Sequence, residues 1–270
     1  MPTLRELTEY HKPTSLDEAL KLLRRPNVHT VPIAGGSGLV PAAPRDVEAV
    51  VDLSALNLAY IKSCEDFQAF TGLCIGATTT LQTIIEDETI RDYADGVLVK
   101  TIRDTATRNV RNAASLAGSI IDAKGNSPLL TMLLALDARL TILGDKEEEV
   151  ALAKWTRPDR TLVTLIALPA LSNETHAAYE KVARTPADLP IVCVAARAAV
   201  INGQLNAVRL ALGGIGRKPL LIERAAISVE EAVKIAVESI DPPSDYFATA
   251  EYRHEMIGVL VKRVLSTLSR

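Results

Sequence analysis

The sequence is short of cysteine, of clustered histidine, of charge of one sign and of long apolar runs, and each shortage removes a class of function. Cysteine occurs only three times in 270 residues, at Cys64, Cys74 and Cys193. The three are odd in number and form no CxxC pair, so neither a disulfide framework nor a zinc or iron–sulfur set is expected, and they read as reduced cytosolic thiols. The histidines, His11, His29, His176 and His254, stand apart without an HExxH spacing; they read as surface or capping groups, not as metal ligands or general bases. Thirty basic residues are set against 33 acidic ones for a formal charge of -3, which lacks the excess of a nucleic-acid binder. Nowhere do roughly 18 uncharged apolar residues run together, and the opening Met1-Pro2-Thr3-Leu4-Arg5 has no apolar signal core. The expected address is the cytoplasm.

What is present is the makeup of a globular chain. Hydrophobic residues at 48% and charged residues at 23% allow a core, and the length fits one large domain or two of ordinary size. Ser15-Leu16-Asp17-Glu18 is a capping signature, followed by an apolar stripe through Ala19, Leu20 and Leu23. A strand over Val28 to Ala34, interrupted by Pro32, runs into Gly35-Gly36-Ser37-Gly38. Further strands are expected over residues 47–53, 67–77 and 161–168, a threonine-capped helix over 80–90, and a buried helix passing into a strand over 129–143. Beyond Pro169 the pattern changes to strands at 179–184, 191–201 and 208–212, then helices at 230–239 and 251–268. The predicted organisation is two α/β lobes over residues 1–168, divided near 57, and an α+β domain over 169–270.

Two runs of small residues carry the chemical interest. Ala34-Gly35-Gly36-Ser37-Gly38 can turn sharply and bring bare amide N–H groups and a serine hydroxyl to an anion such as a diphosphate; it also reads as an ordinary turn. It is not a GxGxxG fingerprint, and no good helix opens directly after Leu39. Ser115-Leu116-Ala117-Gly118-Ser119 has the same character and is expected as a second tight turn, for phosphate or for packing. Arg103, Arg108 and Arg111 before it read equally as phosphate attractants or as a solvated face. Trp155, the single tryptophan, reads as core or interface packing before flavin stacking.

Taken in order, these residues resemble a known family. Ala34 to Leu39, Ile75-Gly76-Ala77-Thr78-Thr79-Thr80, Arg111-Asn112 with Ser115 to Ile120, and Leu133 to Ala138 are similar to the flavin-binding half of the medium subunits of molybdenum hydroxylases, the carbon monoxide dehydrogenase and xanthine dehydrogenase flavoproteins. Tyr179-Glu180-Lys181, Ala211-Leu212-Gly213-Gly214 and Ala250-Glu251-Tyr252-Arg253 continue the likeness to the end. The resemblance implies an α+β protein with a two-lobed FAD-binding domain of the molybdenum hydroxylase flavoprotein (PCMH) type and a C-terminal domain of the carbon monoxide dehydrogenase flavoprotein type. It implies FAD held by Ile33, Ala34, Gly35, Gly36, Ser37, Gly38 and Leu39 on one side and Ser115, Ala117, Gly118 and Ser119 on the other, with Lys181 as a positive charge near the reduced ring. Without the resemblance Lys181 is a solvated strand lysine.

The implied activity is electron transfer, from the iron–sulfur clusters of a small two-cluster subunit to NAD or a quinone-type acceptor. A large molybdopterin-binding subunit is the other partner, in a dimer of heterotrimers, with the molybdenum cofactor and the clusters outside this chain and no nucleic acid or membrane among its partners. Two positions depart from the family. Ala117 stands where a first glycine of a pair is usual, and Gly125-Asn126-Ser127-Pro128 lacks the aspartate of Pro-x-Ser-Asp, for which Asp122 or Asn126 would substitute. These departures motivate an alternative, a subunit that keeps the fold while binding FAD weakly or not at all. A self-contained flavin oxidase or reductase is a third reading, disfavoured because no catalytic base or covalent attachment residue stands out.

Overall fold

The computed structural model describes residues 7–42, 44, 46–67 and 70–269. The opening segment read above for a signal core lies outside them, as do residues 68 and 69 of the expected strand at 67–77. In chain order the elements are β1 (Glu9–His11), α1 (Leu16–Leu23), β2 (Thr30–Ile33), α2 (Leu39–Ala42), β3 (Ala49–Asp52), β4 (Ile61–Phe67), β5 (Phe70–Gly76), α3 (Leu81–Glu86), α4 (Glu88–Asp92), α5 (Val97–Thr105), α6 (Arg108–Ala113) and α7 (Leu116–Ile121). Then follow α8 (Pro128–Ala135), β6 (Arg139–Leu143), β7 (Glu147–Ala151), β8 (Leu162–Pro169), β9 (Thr175–Val182), β10 (Val192–Ile201), β11 (Gln204–Gly213), β12 (Leu220–Ala226), α9 (Val229–Glu238) and α10 (Ala250–Leu268). By contact the chain forms two units. The first holds the described residues up to Ile84 with 108–122 and 139–168; the second holds 85–107, 123–138 and everything from Pro169 on. Among the described residues no helix is long and apolar enough to cross a membrane.

Among the described residues the first unit contains two sheets. A parallel sheet of order β1-β3-β2 places β2 at an edge, where the missing N–H of Pro32 breaks no ladder in the interior. Against it packs α1, whose Ser15 hydroxyl accepts from the Glu18 amide at 3.2 Å while the Glu18 carboxylate accepts from the Thr14 amide at 3.2 Å. The stripe Ala19, Leu20 and Leu23 is buried with Val51, Leu53 and Leu162. A five-stranded sheet follows in the order β4-β5-β8-β6-β7.

The hairpin of β4 and β5 corrects the cysteine reading. Lys62 pairs with Cys74 and Cys64 with Gly72, so Cys64 and Cys74 are diagonal neighbours on adjacent strands, and their sulfurs are bonded. A separation of ten residues becomes a Cα–Cα distance of 5.4 Å only once strand register is known. Cys193 alone is free, and it is buried.

The second unit is built on an antiparallel sheet of order β12-β11-β10-β9. Alternate residues of β10 point to opposite faces. Val192, Val194, Ala196 and Ala198 enter the core formed with Ile257, Leu260, Val261 and Val264 of α10. On the other face Cys193 lies 3.5 Å from the Thr131 hydroxyl of α8, and Arg197 donates to the Leu136 carbonyl just after that helix. Burial on both faces is why this strand reads as an unbroken apolar run. Helix α8 starts at Pro128 behind the Ser127 cap and is buried nearly all round, as an apolar segment without a polar face must be.

Other expectations also need correction. The polar stretch after Lys100 is helical, as the end of α5 and the whole of α6, and α2 provides one helical turn directly after Gly38. The expected helix at 80–90 breaks at Asp87, whose carboxylate caps α4.

Candidate functional site

In the first unit a cavity of about 360 Å³ opens where β2 gives way to α2. Its floor is the bend from Ala34 to Gly38. Gly36 has φ of +67°, a left-handed conformation that glycine adopts without strain. A Cβ on Gly35 would stand 1.5 Å from the Ala113 carbonyl oxygen, and one on Gly38 would stand 1.7 Å from Asp122 Oδ2. The first small-residue run therefore lies directly against the chain that enters and leaves the second, and Ile33, Ala34, Gly35, Gly36, Ser37, Gly38, Leu39, Ser115, Ala117, Gly118 and Asp122 all line one cavity. Among the described residues the amides of Gly35, Gly36, Ser37 and Gly38 have no acceptor. Successive free N–H groups in a glycine bend form an anion-binding concavity.

The second run behaves differently from its expectation as a turn. Ser115 caps α7, so its hydroxyl accepts from the Gly118 amide at 3.2 Å. The Leu116 amide donates to Thr79 O at 2.9 Å, Ala117 to Ala77 O at 3.1 Å and Ser119 to Ser115 O at 2.9 Å. Every amide from Leu116 to Ser119 is thus spent inside the protein, because a capping serine followed by apolar residues starts a helix. The Ser119 hydroxyl also donates to Ser115 O. This run contributes shape to the cavity, not bare donors.

The cavity is also lined by Trp155, which the sequence reads as packing before flavin stacking, and by Thr78, Arg157, Thr161 and Leu162, which that reading did not assign to the site. Among the described residues the buried Trp155 indole N–H has no partner and Arg157 has no hydrogen bond or ion pair. Burial pushes the Asp122 carboxyl above its ordinary value, against the pull of Arg157. A lone arginine in a polar loop carries no pattern that would have singled out Arg157. Arg111 donates to the Gln82 side chain at 3.1 Å, and neither it nor Arg103 or Arg108 lines the cavity. His11 pairs with Glu9, His29 with Asp46 and His176 with Asp95, as surface groups do.

The remaining sequence-derived positions belong to the second unit. Lys181 on β9 is half-buried; its ammonium donates to the Pro186 carbonyl at 2.9 Å and sits 3.4 Å from Asp104. Asn126 donates to Pro190 O at 2.7 Å, and Pro128 is buried as the first residue of α8.

The comparisons decide what this architecture is. Residues 5–171 match the FAD binding domain in molybdopterin dehydrogenase, and residues 177–268 match the CO dehydrogenase flavoprotein C-terminal domain. The chain belongs to the molybdopterin dehydrogenase flavoproteins. Among relatives of this flavoprotein family, the glyceraldehyde dehydrogenase medium chain of Sulfolobus acidocaldarius is 27% identical, over 96% of this chain and 98% of that one. The carbon monoxide dehydrogenase medium chain of Afipia carboxidovorans is 24% identical, over 95% of each. A carbon monoxide dehydrogenase structure from Hydrogenophaga pseudoflava shares the fold with a TM-score of 0.86 at 22% identity, over 96% of each chain. The family implies FAD, and the residues fit it: among the described residues four amides of the glycine bend are free, the bend packs so closely on Ala113 and Asp122 that Gly35 and Gly38 admit no Cβ, and the Trp155 indole N–H in the wall is unpartnered.

Proposed function

We propose that this flavoprotein is the FAD-holding electron-transfer subunit of a molybdenum hydroxylase complex. Its partners in this reading are a large molybdopterin-binding subunit and a small iron–sulfur subunit, in a dimer of heterotrimers. Electrons leave the clusters of the small subunit and reach NAD or a quinone-type acceptor. Bound FAD supplies the redox chemistry that joins one-electron and two-electron carriers. The observation that carries the reading is the row of free amides from Gly35 to Gly38 in a cavity of the matched FAD-binding domain.

In this reading the chain's own residues do the following. The bend over Ile33 to Leu39 holds the diphosphate through its amides and the Ser37 hydroxyl. Ser115, Ala117 and Gly118 line the cavity, Ser119, which does not line it, supports them through its bond to Ser115 O, and Asp122 accepts from sugar or ribityl hydroxyls. Lys181, fixed by Asp104 and Pro186 O, offers a positive charge for a reduced ring. The glycine bend in a cavity of the matched FAD-binding domain favours this reading over a flavin-poor subunit.

Flavin absorbance of the purified protein at about one FAD per chain, with copurification of the two partner chains, is the expected result. A colourless protein that stays colourless after incubation with FAD would overturn it. Asp122→Ala tests the substitute role: FAD affinity falls if Asp122 accepts from the ligand, and unchanged affinity removes Asp122 from the site.

A further inference from the structure

The turn that joins β10 to β11 consists of Asn202 and Gly203, with φ of +52° and +75°, and Ile201 pairs with Gln204 across it. Two positive φ values in a two-residue loop are what a type I′ hairpin turn requires, and Asn-Gly is a pair that adopts them at little cost. The same choice sets a side-chain amide beside a backbone nitrogen that carries no bulky neighbour. Of the eight asparagines Asn202 alone precedes a glycine. Asn126 and Asn206 give their side-chain amides to Pro190 O and Gln204 O, and Asn109 and Asn112 lie within α6, where the backbone is committed to a helix.

Nothing in the structure protects this pair. Asn202 and Gly203 are both exposed, and among the described residues the Asn202 side chain makes no hydrogen bond and the Gly203 N–H has no acceptor. A Cβ on Gly203 would meet nothing within 4 Å, so no neighbour crowds the approach of its nitrogen to the Asn202 side chain. Ile201 and Gln204 are exposed as well, so only the last pair of the ladder has to give for the two groups to meet. Leu205, buried in the core, and Val200, whose amide donates to Glu174 O at 2.8 Å, hold the rest of the hairpin in place.

We infer that the β10–β11 turn is a modification site, at which Asn202 deamidates in the folded protein and becomes isoaspartate. The Gly203 nitrogen, having lost its proton to hydroxide, bonds to Asn202 Cγ, and the Cγ–Nδ2 bond breaks to release ammonia. A five-membered succinimide results. Water then opens the ring. Cleavage between the nitrogen and Cγ leaves aspartate; cleavage between the nitrogen and the main-chain carbonyl carbon leaves isoaspartate, with the chain routed through the former side chain. No electrons are transferred. Either product adds one negative charge to the formal -3 of the chain. Isoaspartate also lengthens the loop by one methylene, which a two-residue turn cannot absorb, so Ile201 and Gln204 come unlatched. Its carboxylate is the acceptor class of methyltransferases that use S-adenosylmethionine, and the aged hairpin is therefore a substrate for them. The site does not rest on the flavin reading.

The full-length protein, held at mildly alkaline pH without denaturant and then mapped by peptide mass spectrometry, tests it. An isoaspartyl methyltransferase with radiolabelled S-adenosylmethionine is the probe for the product. Conversion of Asn202 ahead of every other asparagine is expected, with methyl label on the peptide that spans the turn and an acidic shift on isoelectric focusing. Gly203→Ala should slow the conversion several-fold, because its methyl hinders the attacking nitrogen. That methyl meets open space, and thermal melting checks that the positive φ is still tolerated; if the variant melts early, the wild-type map decides alone. The proposal is overturned by an unconverted Asn202, by conversion only after unfolding, or by an undiminished rate in folded Gly203→Ala. Label confined to the peptide carrying Asp95-Gly96 also overturns it. None of these readouts depends on bound flavin, so a failure here leaves the first-unit reading standing.

Discussion

Replacing Gly35 with alanine asks the most of the flavin bend. The new methyl carbon would lie 1.5 Å from Ala113 O and 2.4 Å from Ala113 C, both backbone atoms that no rotamer change can move. Ordinary contact near 3.5 Å requires the bend to retreat by about 2 Å. Overpacking of this kind costs about 1–3 kcal/mol. A retreat of that size also takes the amides of Gly35 and Gly36 out of hydrogen-bond range of whatever they hold, and each bond to a charged group is worth about 1.5–3 kcal/mol. Gly35→Ala should therefore lower FAD affinity at least roughly 100-fold, since the two bonds together are worth about 3 kcal/mol or more and about 1.4 kcal/mol is a factor of ten. Gly258→Ala is the control. Its methyl would meet Val237 Cγ2 at 3.4 Å, an ordinary contact, inside helix α10. There alanine gains up to about 1 kcal/mol of helix propensity and leaves flavin untouched. Flavin absorbance per chain and thermal melting of both variants provide the readout. Wild-type flavin content in Gly35→Ala would refute the role given to the bend.

Three other outcomes follow from single contacts. Ser127→Ala removes the cap of α8 and should destabilise the protein by about 0.5–2 kcal/mol in denaturant titration; no change would mean that Pro128 alone sets the helix start. At Asp52, burial pushes the carboxyl up, but the Tyr10 hydroxyl and the Ser54 amide and hydroxyl outweigh it and hold it below the ordinary value. A folded-state value below the unfolded one means that this stabilisation is complete above about pH 4 and is lost as pH falls through the folded value, so Asp52→Asn should flatten the acid limb of a pH–stability curve. Thiol titration in denaturant should find one reactive cysteine without reductant and three after reduction. In the native protein Cys193, buried and pushed up to about 12, should not react, and three thiols without reductant would contradict the Cys64–Cys74 bond.

The parts of this molecule legible in its sequence are those fixed by neighbours along the chain. Ser15 and Glu18 announced α1 because a capping box is a four-residue event, and β10 showed as an apolar run because both of its faces are covered. The glycine bend was visible since its requirement for residues without Cβ is local. What stayed hidden depends on register or on distant packing. Cys64 and Cys74 meet only through the hairpin pairing, and Arg157 and Trp155 reach the cavity only because the β7–β8 connection passes it. The Ser115 run reads as a tight turn and is a helix start instead, because its amides find acceptors at Ala77 and Thr79 that no local pattern announces.

The second unit is woven from three separate stretches of chain, and α8, from the middle one, covers the Cys193 and Arg197 face of β10. A fragment starting at Pro169 would carry the whole four-stranded sheet yet leave that face stripped, with Arg197 deprived of the Leu136 carbonyl. Truncation at the apparent C-terminal boundary is thus expected to give insoluble material, and a soluble excision of this unit would have to carry α5 and α8 along, spliced or circularly permuted.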